Sequence, residues 1–157
     1  MTEHQSKSFL RTKLLHQRKT LSVNEVEVYS SVIIEKVQTI INTMQPKSIH
    51  CYSSIVDQHE IITTNLINFI RNIPTISLTV GSPEPNASIP DKQYDMIIVP
   101  VVGYTHNNYR IGYGGGWYDK FIATQKFAFT IGLAYKHSRV TFKPEIHDQC
   151  LDIVVTE

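Results

Sequence analysis

Five of the seven glycines in this 157-residue chain lie between Gly103 and Gly116, and four of them fall within Gly112–Gly116. Closely spaced glycines let backbone N–H groups approach a ligand and reach positive φ without a Cβ clash. Placed ahead of a helix, such a loop forms a nest for phosphate. Arg110 stands just before it and offers a forked, charge-assisted contact to phosphate oxygens. Asp119 follows it, where a carboxylate can hold Mg²⁺ beside those phosphates. The same residues also describe an ordinary flexible strand-to-helix turn, with Asp119 as a first-turn acid. Residue types alone leave both readings open.

Two familiar nucleotide motifs are excluded. A Walker A loop ends in Gly-Lys-Ser/Thr, and this one ends in Gly116-Trp117-Tyr118; the dinucleotide fingerprint needs a third glycine where Trp117 stands. Elsewhere, Glu60 is expected to open a helix after a polar loop, as a functional carboxylate or a plain helix acid. His147-Asp148 follows Pro144 in a loop, where the carboxylate can reach a metal or cap a turn. The seven histidines show no HExxH or other metal spacing, and no GxSxG elbow is present.

The elements that must position these groups read as alternating helices and strands. Leu10, Leu14 and Leu21 share one narrow helical sector, and Lys7, Arg11 and Arg18 share the sector beside it. Ser22 and Glu25 form a capping-box pattern that opens a second helix, with Val26, Tyr29, Ile33, Val37, Ile40 and Met44 facing the core up to Pro46. Ser48–Tyr52 reads as a strand, and Ile62, Leu66, Phe69 and Ile70 mark a helix ending before Pro74. Thr75–Val80 is β-prone, and the prolines of Gly81–Pro85 make a rigid loop. Asp95–Pro100 is a buried strand stopped by proline, followed by a polar loop over Gly103–Arg110. Tyr118–Gln125 reads as a helix, and Phe127–Leu133 and Asp152–Thr156 as strands. This order predicts an α/β three-layer sandwich, a mainly parallel central sheet flanked by helices, over one domain spanning 1–157.

Composition agrees with that class. An apolar fraction of 41% and a charged fraction of 18% fit a packed globular chain. No apolar run is long enough to span a bilayer, and the first residues lack a secretory signal. Two cysteines, Cys51 and Cys150, show no CxxC spacing and read as buried or half-buried thiols in a reducing cytoplasm. The net charge of +1 speaks against a general nucleic-acid binder. Yet residues 1–20 carry Lys7, Arg11, Lys13, Arg18 and Lys19 against Glu3, a local excess that marks an anion site or a solvated helix face.

Beyond physics, the strand Asp95-Met-Ile-Ile-Val-Pro100 and the stretch Tyr109-Arg-Ile-Gly-Tyr-Gly-Gly-Gly-Trp-Tyr-Asp-Lys-Phe121 resemble the signature of the 5-formyltetrahydrofolate cyclo-ligase family. Lys7-Ser-Phe-Leu-Arg11, then Arg18 and Leu21-Ser22, are similar to its N-terminal helix, and Pro144–Asp148 with Leu151–Glu157 to its ending. The resemblance implies ATP-dependent conversion of 5-formyltetrahydrofolate to 5,10-methenyltetrahydrofolate with release of ADP and phosphate. It implies that Lys7, Arg11, Arg110, Gly112, Gly114, Gly115 and Gly116 bind ATP. It further implies that Glu60, Tyr113 and Trp117 face the folate, and that Asp119 and Asp148 hold Mg²⁺. The expected partners are 5-formyltetrahydrofolate and ATP, with no nucleic acid or membrane, for a cytoplasmic monomer.

The chain departs from the family pattern in three places. Family members are usually some tens of residues longer, with the missing length expected between Pro74 and Gly81 as a strand and hairpin against the folate. Ile62 stands at a commonly acidic position, and Trp117 replaces the more usual Tyr. Two alternatives follow: a non-catalytic ATP- or folate-binding relative, and an ATP-dependent enzyme for a smaller formyl or carboxyl compound.

Overall fold

The computed structural model describes residues 5–81, 84 and 86–157. Ser6 caps the first helix, Lys7–Lys19 (α1), its hydroxyl accepting from the Phe9 N–H. The second helix, Val23–Met44 (α2), opens on the expected capping box. The Ser22 hydroxyl accepts from the Glu25 N–H at 3.2 Å, and the Glu25 carboxylate accepts from the Ser22 N–H at 2.7 Å. Gln45 ends α2 in the left-handed region at φ 49°, ahead of Pro46.

The strands are Ser48–Tyr52 (β1), Ser77–Gly81 (β2), Met96–Pro100 (β3), Gly103–Tyr104 (β4), Arg110–Ile111 (β5), Phe129–Leu133 (β6) and Ile153–Val155 (β7), with helices Thr64–Arg71 (α3) and Trp117–Ala123 (α4) between them. Five strands form one wholly parallel sheet in the order β2-β1-β3-β6-β7. The crossover β1-α3-β2 and the crossover β3-α4-β6 run in opposite directions along the sheet. Right-handed connections therefore put α3 and α4 on opposite faces, which makes three layers. α2 packs beside α3. Coverage on both faces explains why Met96, Ile97, Ile98 and Val99 in β3 are all buried in succession. Ile33, Val37 and Ile41 of α2 and Leu66 and Ile70 of α3 join them in the main core, each worth about 1.5–3 kcal/mol in removed apolar surface.

A second, smaller cluster joins Leu10 and Leu14 of α1 to Val102, Ile111 and Phe142. It docks α1 on the β4–β5 hairpin, and at Gly103 an added Cβ would lie 2.4 Å from Leu14 Cδ1. Glycine permits that approach.

Several sequence expectations shift here. Leu21 lies beyond the end of α1 and packs on the main core instead of extending the Leu10–Leu14 seam. Arg18 is itself buried, not at the seam's solvent edge. Gly103–Arg110 is not a plain loop, because its ends pair as the antiparallel β4–β5 hairpin. α4 starts at Trp117 and stops at Ala123, and β2 begins at Ser77, β6 at Phe129 and β7 at Ile153, so the outer residues of each expected span lie outside regular structure. Cys51 is buried as expected, whereas Cys150 is exposed. The expected rigid loop Gly81–Pro85 includes Ser82, Pro83 and Pro85, which lie outside the described residues. Among the described residues no helix is long and apolar enough to cross a membrane.

Candidate active site

In the sheet, β1 is the strand from which the chain leaves one way to β2 and beside which it returns as β3. A parallel sheet opens a crevice at the carboxyl ends of such a strand pair. The main cavity, about 510 Å³, lies there, with Tyr52 and Ser53 at the end of β1 and Pro100 at the end of β3 in its wall. The twelve residues to which the family resemblance gives a role all line this one cavity: Lys7 and Arg11 from α1, Glu60 from the segment before α3, Arg110 from β5, the glycines with Tyr113, then Trp117 and Asp119 from α4, and Asp148 from the last loop.

The glycine loop takes the backbone that its composition permits, with Gly114 at φ 105° and Gly116 at φ 68°. Gly116 is the N-cap of α4 and brings no side chain to the first-turn amides. Arg11 lies over the loop: its Nε–H donates to the Gly112 carbonyl at 2.6 Å, and its guanidinium would touch a Cβ at Gly114 at 3.4 Å. Arg11 of the α1 cationic stripe thus faces the glycines.

Carboxylates balance these cations. Lys7 Nζ donates to Asp148 Oδ1 at 2.5 Å and lies 3.8 Å from Glu145. The other Asp148 oxygen accepts from the Glu145 N–H at 2.7 Å. Burial pushes the Asp148 carboxyl up. The Lys7 and Glu145 hydrogen bonds and the nearby positive charge outweigh it, and the net shift is downward. Arg110 is buried, sits 3.4 Å from Asp119 Oδ2, and lies over the Tyr118 ring at 5.3 Å. Burial lowers its pKa against the pull of Asp119, and the guanidinium stays charged. Asp119 Oδ1 accepts from the Gln149 N–H at 3.1 Å, tying α4 to the last loop.

Glu60 does not open a helix, since α3 begins at Thr64. It is 3% exposed; one oxygen accepts from the Ile55 N–H and the other from the Tyr113 hydroxyl at 2.7 Å. Burial, then the Glu60 charge, pushes the Tyr113 phenol up. Trp117 donates its indole N–H to the Ala87 carbonyl at 3.0 Å and tilts against Phe121 and His50. A flat apolar wall with one buried carboxylate suits a flat heterocycle bearing N–H donors.

Tyr52, Ile55, Tyr118 and Glu145 also line the cavity and were not singled out, and His147, named only as the neighbour of Asp148, lines it too. Tyr52 was findable as the last residue of a buried strand at the sheet's carboxyl edge. Glu145, His147 and Asp148 bring ligand atoms within 4.8 Å of one another, a cluster invisible to the spacing rules applied to the histidines. His147 Nε2 lies 2.9 Å from Glu145.

The model of the 5-formyltetrahydrofolate cyclo-ligase family matches residues 69–157, more than half of the chain. The chain belongs to this family. A 5-formyltetrahydrofolate cyclo-ligase of Mycoplasma pneumoniae is 27% identical over 163 residues, covering 96% of this chain and 98% of the relative. One of Mycoplasma genitalium is 28% identical over 106 residues, 67% of this chain and 53% of the relative. The fold is similar to a solved 5,10-methenyltetrahydrofolate synthetase from Mycoplasma pneumoniae, with a TM-score of 0.81 at 24% identity, over 97% of this chain and 99% of that one. It is similar again to the Aquifex aeolicus 5,10-methenyltetrahydrofolate synthetase, with a TM-score of 0.75 at 23% identity, over 95% and 88%. The Mycoplasma pneumoniae cyclo-ligase is matched almost end to end, so a short middle segment is not peculiar to this member of the family.

Proposed function

We propose that this protein is a 5-formyltetrahydrofolate cyclo-ligase that uses ATP and Mg²⁺ and acts as a single α/β domain over 1–157. One observation carries the reading. Residues from α1, the segment before α3, the glycine loop and the last loop, which the family resemblance implicates separately, all line one cavity at the sheet's switch point.

The chemistry has two steps. The N5-formyl oxygen attacks the γ-phosphorus of ATP and ADP departs, turning a poor leaving group into a phosphate ester. N10 then adds to the formyl carbon and loses its proton, the carbon–oxygen bond breaks, and inorganic phosphate leaves behind the 5,10-methenyl bridge. Both steps call for positioning and for neutralised phosphoryl charge more than for covalent work by the protein. Lys7, Arg11 and Arg110 supply three cations on the cavity wall, and Gly112–Gly116 supply backbone N–H donors. Tyr113 and Trp117 border the pterin, with Glu60 buried between Tyr113 and Ile55.

The carboxylates fit magnesium. Asp119 and Asp148 offer hard oxygen atoms, each oxygen holding one protein donor and keeping a lone pair. The Glu145–His147–Asp148 cluster mixes in a nitrogen, which suits Mg²⁺ less well. Held by Asp119 and Asp148, Mg²⁺ would supply charge neutralisation at the phosphates. The protein is taken to act in the cytoplasm as a monomer, without nucleic acid.

The test mixes purified protein with 5-formyltetrahydrofolate, ATP and Mg²⁺ and follows the methenyl product by absorbance. Product that requires both ATP and Mg²⁺ is expected. Absence of product, with ATP still bound, would overturn the proposed reaction in favour of another substrate.

A further inference from the structure

Arg18 is 4% exposed, and it does not line the cavity. One of its terminal nitrogens donates to the Tyr113 hydroxyl, its guanidinium lies over the Tyr113 ring at 5.6 Å, and its Nε–H has no partner among the described residues. The Tyr113 hydroxyl donates onward to Glu60 Oε1, and Glu60 Oε2 accepts from the Ile55 N–H. A buried cation, a phenol and a buried carboxylate therefore form one chain from α1 through the glycine loop to the segment before α3. The direction of each bond is forced. A guanidinium only donates, so the phenol's proton must point at Glu60.

The backbone on both sides of Glu60 is tied as well. Tyr135 donates to the His59 carbonyl at 2.8 Å and Tyr52 to the Ile61 carbonyl at 3.1 Å. His59 itself sits in the left-handed region at φ 51°, a costly conformation for a residue with a Cβ. The segment is over-determined, with its carboxylate aimed at the cavity.

We infer that Arg18 is a positioning residue for the folate: acting through Tyr113, it holds the Glu60 carboxylate in its substrate-facing orientation. The inference rests on the cyclo-ligase reading for its substrate, but the chain of hydrogen bonds exists without one. Lys7 and Arg11, nearer the start of α1, meet the glycine loop and Asp148. One helix thus serves both halves of the site, its first turns the nucleotide and its last turn the folate.

The experiment compares wild type, Arg18→Met, Arg18→Lys, Tyr113→Phe and the Arg18→Met/Tyr113→Phe double variant. Steady-state kinetics should show the KM for 5-formyltetrahydrofolate raised about tenfold or more in Arg18→Met. The KM for ATP should stay within about twofold, because Lys7 and Arg11 are untouched. Arg18→Lys should recover most of the loss, and the double variant should be no worse than Tyr113→Phe alone. In ligand-free protein, the Ile55 amide resonance should move in Arg18→Met and Tyr113→Phe and return towards wild type in Arg18→Lys. An unmoved Ile55 amide, or equal losses for both substrates without rescue by lysine, would overturn the inference. Should Arg18→Met fail to fold, Tyr113→Phe, which removes only a hydroxyl from a half-exposed ring, carries the same amide test. A wild type that makes no methenyl product defeats the cyclo-ligase reading, and the Ile55 amide still decides the relay.

Discussion

Asp119 shows how one carboxylate can be tied to both stability and chemistry. It lies against buried Arg110 and accepts from the Gln149 N–H, so removing the side chain would strip a buried cation of its counter-charge. Asp119→Ala therefore mixes two effects. Asp119→Asn keeps the shape and one acceptor while deleting the charge that magnesium needs. We expect its Mg²⁺-dependent turnover to fall by about a hundredfold or more, with a melting temperature lowered by roughly 6 °C or more because buried Arg110 loses its counter-charge. Turnover against magnesium concentration, alongside a thermal melt, checks both halves. A variant with normal turnover would remove Asp119 from the metal site. The residue's place beside the glycine loop was legible in the sequence; its tie to the last loop was not.

At the scale of the element, α1 is the most exposed to failure. Its apolar attachment is the small cluster around Leu10, Leu14, Val102, Ile111 and Phe142, separate from the main core. Yet it delivers Lys7, Arg11 and Arg18 to the site. Leu14→Ala removes a fully packed side chain at a cost of about 2–4 kcal/mol. Because the main core is untouched, the expected loss is local. The KM for ATP should rise by about tenfold, hydrogen exchange should quicken across α1, and the sheet should keep its protection. Global unfolding of this variant would instead show that α1 belongs to the cooperative core. α2 behaves differently, being anchored by the main cluster along its length. There Ser22→Ala, which breaks the capping box, should cost about 1 kcal/mol in urea denaturation without changing either KM.

For the whole molecule, the acid limit of stability runs through His50. This side chain is buried beneath α4 among Tyr94, Trp117, Tyr118 and Phe121, and its Nδ1 has no partner among the described residues. Burial lowers its pKa from 6.5 to about 4. The folded state therefore stays neutral where the unfolded chain takes up a proton. The stability this represents is intact above the unfolded value and is lost as pH falls from about 6.5 towards 4. Between pH 7 and pH 5 the loss should be about 2 kcal/mol. Asp148 contributes in a lower window, because a depressed carboxyl loses its stabilisation only below its ordinary value of 3.8. Urea denaturation at pH 7 and pH 5 measures the His50 effect, and His50→Leu should flatten it. An equal pH dependence in that variant would assign the acid sensitivity elsewhere.

Periodicity, caps and composition act over a few residues, and those features were readable in the sequence. They include the α2 stripe with its Ser22–Glu25 box, the buried run at Met96–Val99, the parallel α/β class, and a glycine loop framed by Arg110 and Asp119. The cationic stripe on α1 was readable too, as a pattern without a destination. What faces it is set by docking: Lys7 meets Asp148 across 141 residues, and Arg18 meets Tyr113 across 95. Helical phase puts three cations in one sector but cannot say that the last becomes buried behind a tyrosine. The β4–β5 hairpin carries no two-residue turn signal: its strands are two residues each, joined through residues 105–109, and it is held by α1 packing on Ile111 and by bridges from Tyr104 to Arg139 and from Tyr109 to Cys150. From its spacing Glu60 read as a functional carboxylate or a helix acid, because polarity before an apolar stripe is the usual mark of a helix start. The Tyr113 hydroxyl and the Ile55 amide, brought in by the packing of separate segments, make it a buried carboxylate.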